Sequence, residues 1–421
     1  MRVLSVYGGE TLNGEVVVQG AKNSVLPILA ATVLAQETCV LHNCPDLEDV
    51  DAAIDILRWL GASVQRQADT LLVDPTGICR TEIPQEQMER MRSSVIFLGA
   101  ILARCGEATI SEPGGCRLGA RPIDFHLQAL QTMGVVIKSE QGRISCCAAQ
   151  MHTCQICLPY ASVGATENVM LAAMGCSGQV VLKNAAREPE ILDLAVFLRA
   201  LGARIGGDGT GTIILQAPEQ LRYAEHWVIP DRIVAATYLC AVAAAGGEVC
   251  LRQLQPSHLD AVLQVLQQMG CTVRRAKHAL VLRRSGKLCA PEKIETAPYP
   301  GFPTDVQAPM MAALLRAEGE SQIRETVFPS RFYHVPQLQK LGGWIEVCDE
   351  QTRIFGVKSL HGAQMEATDL RGGAALVIAA LAAEGESIIT GLHHINRGYE
   401  SIERDLRALG AKIQRREVEA Y

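Results

Sequence analysis

The sequence predicts an α/β protein of two domains, each assembled from three similar units. Length is the first reason. At 421 residues the chain exceeds what one hydrophobic core usually organises, and two domains of roughly 200 residues are the natural division. A sixfold repeat is the second. A helix ending in a bulky residue plus glycine, followed by a strand, occurs as RWLGASVQ at Gly61, LQTMGVVIK at Gly134 and FLRALGARI at Gly202. It recurs as LQQMGCTVR at Gly270, LQKLGGWIEV at Gly342 and LRALGAKIQ at Gly410. The third is an interleaved signature, an Ala-rich helix closed by Gly-Glu or Gly-Gln before a strand. It reads RCGEATISEP (104–113), CSGQVVLKNA (176–185), AGGEVCLRQL (245–254), AEGESQIRET (317–326) and AEGESIITGL (383–392), with LAQETCVLHN (34–43) as a degenerate first copy.

Each element follows from elementary stereochemistry. Glycine just past a helix adopts the left-handed conformation cheaply, so each repeat glycine marks a helix end. The alternating residues after it predict a half-buried strand. The intervals between these glycines, 73, 68, 68, 72 and 68 residues, make coincidence untenable. Each unit therefore carries two helices and several strands. Six units divide three and three near WVIPDRIVAA (227–236), where proline punctuates the chain. GGDGTGT (206–212) joins two strands and reads as a hairpin turn rather than a phosphate loop. The apolar run AALVIAALAA (374–383) is too short to span a bilayer and reads as a buried core helix.

Composition excludes some classes. Hydrophobic residues make up 48% and charged residues 20%, with a net charge of −6. That balance argues against a general nucleic-acid binder, which carries a basic patch or stripe. The N-terminus shows no secretory signal. The 15 cysteines read as reduced thiols, mostly small core residues, in a cytoplasmic protein. CCAAQMHTCQIC (146–157) lacks a second well-spaced pair, so no metal site is expected. Homo-oligomerisation is left open.

Two three-unit domains imply a cleft between them, a preferred place for a small-molecule site. Candidate residues fall where loops enter helices. In GAKNSVLPILAA (20–31), Lys22 opposes the helix dipole, which a bound anion would offset; a solvated lysine is the plainer reading. Arg92 and Ser93 begin another apolar helix. EPGGCRLGARPID (112–124) is a glycine-rich loop in which Arg117 and Arg121 would favour the Cys116 thiolate, a nucleophile or acid. Asp305, before an Ala/Met/Leu helix, is either a cap or a general base. Arg331, Arg371 and Arg397 lie near predicted element boundaries. Together they suggest a cation-lined cleft for a highly anionic ligand.

GAKNS, PGGCRLGARPID, SVGATENVMLAA (162–173), NAAREPEI (184–191), FPTDVQA, ETVF, ATDLR and RGYESIE resemble the signatures of the UDP-N-acetylglucosamine 1-carboxyvinyltransferases, essentially end to end. The shikimate-pathway relatives share the fold but lack the cysteine loop. The resemblance implies two inside-out α/β domains, residues 21–229 and residues 1–20 plus 230–421, with the active site in the interdomain cleft. It implies enolpyruvyl transfer from phosphoenolpyruvate to the sugar 3-hydroxyl by addition and elimination, the first committed step of peptidoglycan precursor synthesis, with no cofactor. By that resemblance Cys116 is the proton donor and Asp305 the base, with Lys22 and Arg397 also catalytic. Lys22, Asn23, Arg121, Arg331, Arg371 and Arg397 surround phosphoenolpyruvate. Asn23, Arg92, Arg121, Pro122, Ile123, Asp124, Phe125, Ser162, Val163, Gly164, Asp305 and Val327 hold the UDP-sugar. The partners implied are these two small molecules, with neither nucleic acid nor membrane.

The sequence departs from the family pattern at Pro329 and Ser330, where an acidic residue and asparagine are expected, and at Asn396, where aspartate is usual. These changes adjoin Arg331 and Arg397 and would leave both less restrained. They are the support for a second reading, a regulatory or sensing paralogue that binds the UDP-sugar with little turnover.

Overall fold

A computed structural model describes residues 2–111 and 123–418. The chain forms two compact units, residues 20–229 and residues 1–19 with 230–421. Six four-stranded sheets, three to each unit, share one topology. Two neighbouring strands are parallel, and an antiparallel pair follows. In residues 20–229, for example, Cys154–Cys157 runs parallel to Gln179–Lys183, which pairs antiparallel with Thr212–Gln216, which in turn pairs with Arg204–Gly206. The last two form the hairpin expected around GGDGTGT. Parallel pairing requires a crossover; in four sheets it runs through a buried helix, whereas Cys39–His42 with Glu225–Trp227 and Leu12–Val17 with Gly247–Arg252 are joined only through residues 43–224 and 18–246.

In the second unit the buried helices are Arg232–Ala245, Gln307–Leu314 and Leu370–Leu381. They pack on one another, and every residue of Ile233–Ala244 is buried. An all-apolar helix has no face to give to water, so the sheets lie outside it. Their strands alternate buried and exposed, as in the eBeBe run of Arg143–Cys147. That alternation also corrects the reading of the cysteines as mostly core residues. Cys146 points inward and is buried, whereas Cys147 is exposed, as are Cys79, Cys105, Cys157, Cys289 and Cys348.

The six repeat glycines all adopt positive φ, between 90° at Gly342 and 116° at Gly61. Each ends an outer, one-sided helix such as Asp260–Gln268, which buries Val262, Leu263 and Leu266. The N-terminal strands complete the second unit. Leu12–Val17 supplies the parallel strand beside Gly247–Arg252, and Arg2–Tyr7 sits between Glu386–Thr390 and Lys412–Glu417.

Candidate functional site

Within residues 1–19 and 230–421, the buried helices begin at aspartates. Asp231 caps Arg232–Ala245, accepting from the backbone N–H of Ile233 (2.8 Å) and Val234 (3.0 Å). Asp369 caps Leu370–Leu381, accepting from the N–H of Arg371 (3.0 Å) and Gly372 (2.9 Å). Asp305 occupies the equivalent place, in the 3-10 turn Thr304–Val306 ahead of Gln307–Leu314, but it caps nothing. Its carboxylate is held between two guanidinium groups. Arg331 reaches Oδ1 at 2.8 Å and Arg371 reaches Oδ2 at 2.9 Å. The arginine side chains are 6% and 2% exposed, and that of Asp305 is 24% exposed. One acid thus keeps a face to solvent while its cations are sealed in. Burial pushes the Asp305 carboxyl up, but the charges and hydrogen bonds of Arg371 and Arg331 outweigh it and hold it well below the usual carboxylate range.

The arrangement revises the expectation of a wall of free cations, because Arg331 and Arg371 are both committed to Asp305. It also bears on Pro329 and Ser330. Both are exposed, and Arg331 is restrained without an acid at either position, through Asp305 and the hydroxyl of Thr304 at 3.0 Å. Arg371 further reaches the Tyr399 hydroxyl (3.5 Å), which lies 2.8 Å from Thr237 Oγ1. Beside it His334 is buried, and burial lowers its pKa to about 4, with Asp369 opposing the shift and Arg331 adding to it. Its imidazole is neutral at neutral pH. Arg397 is half-buried and follows the short helix Leu392–Asn396 rather than leading into one. Asn396 accepts a hydrogen bond from Arg415 at 2.9 Å. Val327 is half-buried, and its N–H donates to Glu325 at 2.9 Å.

Within residues 20–229, Lys22 opens the helix Lys22–Thr32 and Asn23 follows, half-buried. Lys22 Nζ lies 2.5 Å from Asp49 Oδ2, with side chains 10% and 3% exposed. A carboxylate of the same unit therefore supplies a negative charge beside this buried ammonium, where a solvated lysine was the plainer reading. Arg92 begins the 3-10 turn Arg92–Ile96 that leads into Phe97–Cys105. Ser162 caps Val163–Ala172, accepting from Ala165 N–H at 3.3 Å. Ile123, Phe125 and Val163 are half-buried against the core, and Asp124 is exposed. Cys116, Arg117, Arg121 and Pro122 lie outside the described residues.

Sequence reasoning passed over one buried group here. Asn168 accepts from Gly99 N–H (2.6 Å) and donates to Val95 C=O and to His126 Nδ1, both at 2.9 Å. Burial lowers the His126 pKa to about 4, so Nδ1 can accept. The imidazole edge lies under Gly164, where an added Cβ would sit 3.1 Å from Cε1. An HL pair after the loop and an Asn inside an apolar helix were the available signals. Among the described residues no group of three or more His, Cys, Asp or Glu is arranged to hold a metal, and no helix is long and apolar enough to cross a membrane.

Comparison with known proteins gives this geometry a class. Residues 6–406 match the family model described as EPSP synthase (3-phosphoshikimate 1-carboxyvinyltransferase), and the chain belongs to this family of carboxyvinyl-transferring enzymes. The enolpyruvyl transferase NikO from Streptomyces tendae superposes with a TM-score of 0.88 at 28% identity, over 98% of both chains. EPSP synthase from Acinetobacter baumannii gives 0.72 at 18% identity, covering 99% of this chain and 100% of its own, a likeness of fold. Curated relatives narrow the class. UDP-N-acetylglucosamine 1-carboxyvinyltransferase 2 of Caldanaerobacter subterraneus subsp. tengcongensis is 45% identical, covering 99% of this chain and all of its own. UDP-N-acetylglucosamine 1-carboxyvinyltransferase of Gloeobacter violaceus is 46% identical over 98% and 90%.

Proposed function

We propose that this chain transfers the enolpyruvyl group of phosphoenolpyruvate to the 3-hydroxyl of UDP-N-acetylglucosamine, releasing phosphate, in peptidoglycan precursor synthesis in the cytoplasm. The observation that carries the reading is Asp305, partly open to solvent and clamped by two buried arginines. Full-length identity to carboxyvinyltransferases of that name supplies the substrates. The hydroxyl oxygen bonds to C2 of phosphoenolpyruvate while C3 takes a proton. Loss of a C3 proton then expels phosphate and restores the double bond.

Asp305 is the group that orients the hydroxyl and receives its proton. With Arg331 and Arg371 beside it, the carboxylate is a weak base. A phosphate and carboxylate bound near those guanidinium groups would offset their charge and raise its basicity when substrate is present. Cys116 is the proton donor to C3. Lys22, Asn23, Arg121 and Arg397 complete the phosphoenolpyruvate site. Arg92, Pro122, Ile123, Asp124, Phe125, Ser162, Val163, Gly164 and Val327 take the UDP-sugar, with neutral His126 steadying Gly164 from below.

The test is phosphate release from phosphoenolpyruvate with and without UDP-N-acetylglucosamine, repeated with Cys116→Ala. Release that needs both substrates and falls at least about 100-fold without the thiol is expected. UDP-sugar binding without release would favour the sensing paralogue.

A further inference from the structure

Among the described residues Glu325 is the one fully buried carboxylate in contact with the Asp305 turn, and the mechanism above gives it no role. It is 0% exposed. Among the described residues no ion pair reaches it; four neutral donors do. Oε1 accepts from Thr296 Oγ1 (2.8 Å), Val327 N–H (2.9 Å) and Phe328 N–H (2.9 Å). Oε2 accepts from Thr304 Oγ1 at 2.9 Å. Four donors on two oxygens fix the carboxyl group as an acceptor on both sides.

The direction of each bond matters. Thr304 has one hydroxyl proton, and it points to Glu325. Its lone pairs therefore face Arg331, whose Nη1 donates to Thr304 at 3.0 Å and lies 2.8 Å from Asp305 Oδ1. Nη1 has two hydrogens and these two acceptors. Glu325 thus fixes the threonine rotor, the rotor fixes Arg331, and Arg331 fixes one oxygen of Asp305. The same carboxylate binds the backbone of Val327 and Phe328, next to the arginine's own loop. Thr296 ties in the far side, accepting from Thr326 N–H at 2.9 Å.

We propose that Glu325 is a positioning residue for the transfer reaction, acting through Thr304 and Arg331 to aim the Asp305 carboxylate. The inference rests on the function proposed above. It makes the glutamate of ETVF part of the reaction's geometry although no substrate touches it.

Glu325→Gln separates this role from a merely structural one. With its oxygen in the Oε1 place, glutamine keeps the bonds from Thr296, Val327 and Phe328 and turns its NH2 to Thr304. The reverse orientation would lose three bonds to save one. Thr304 then faces nitrogen donors on both sides and its proton has no acceptor there, so the hydroxyl rotor is no longer held in the orientation that faces Arg331. Thr304→Val removes the rotor directly. Steady-state phosphate release should show kcat lowered about 10- to 100-fold in each variant, because small misplacements of reacting groups have effects of that size. KM for UDP-N-acetylglucosamine should stay within about threefold. The double variant should be no slower than the worse single one, because both act on one relay. Glu325→Ala, which also frees the Val327 backbone, should raise that KM as well.

Wild-type kcat in either single variant would overturn the inference, as would single effects that multiply in the double variant. Should Glu325→Gln not fold, Thr304→Val decides alone. A wild-type protein that releases no phosphate would instead overturn the proposed function, and this inference with it.

Discussion

Asp305→Asn should cost both stability and turnover. The substitution keeps shape and one acceptor but removes the negative charge between Arg331 and Arg371, whose side chains are 6% and 2% exposed. At an effective dielectric of about 20, each pair attracts by roughly 4 kcal/mol. Desolvation of the ions offsets part of this, and the 24% exposure of Asp305 admits water that softens the loss. Two sealed cations then face each other without a counter-charge, a situation in which breaking a buried pair costs about 3–5 kcal/mol. The discounted loss is about 2–4 kcal/mol. For a unit of roughly 200 residues that is about 5–15 °C in the melting transition. Scanning calorimetry of the full chain measures it, and phosphate release should fall at least about 100-fold in the same protein. Buried pairs are little screened, so the loss should persist in 0.5 M salt, where the Debye length is roughly half its physiological value. A variant melting within about 1 °C of wild type, or one that melts higher, would refute the account of the clamp.

Two further outcomes follow from buried groups. Burial lowers His126 and His334 to pKa values of about 4, below the unperturbed ~6.5. The folded state therefore excludes a proton that the unfolded chain accepts. Their stabilising contribution is full above about pH 6.5 and is lost as pH falls from there toward 4. Nitrogen-detected NMR at pH 6 should show both rings neutral while exposed histidines titrate, and a charged His126 or His334 at that pH would contradict the burial. Gly99→Ala should destabilise residues 20–229 by about 3 kcal/mol or more, because the new Cβ would sit 2.3 Å from the Asn168 carbonyl oxygen and 2.5 Å from Oδ1. Urea denaturation measures this, and a wild-type midpoint would show that the two helices part easily.

The repeat glycines were legible because their signal is local. A helix end needs a left-handed residue whatever lies elsewhere, and Gly61, Gly134, Gly202, Gly270, Gly342 and Gly410 all take that conformation. The strand pairs and buried helices followed from the same period. The site was legible only as a set of residue types at helix starts. Asp305 carries a sequence context fit for a cap, and only its long-range neighbours Arg331 and Arg371 make it something else. Lys22 read more plainly as a solvated lysine, and its neighbour Asp49 lies in a different helix. Glu325 was least visible of all. Its donors come from Thr296, Thr304 and its own loop, and no spacing rule distinguishes such a buried acid from a solvated one.

The strand Arg2–Tyr7 pairs with Lys412–Glu417, the last strand of the chain. During synthesis residues 2–7 must wait for residues 412–417. Residues 20–229 are contiguous and can fold as they emerge, but the other unit cannot close its final sheet until nearly the whole chain has left the ribosome. At about 5–20 residues per second, that leaves the opening strand without its partner for tens of seconds. A ribosome-stalled series with increasing length should show residues 20–229 protease-resistant well before residues 2–17 become so.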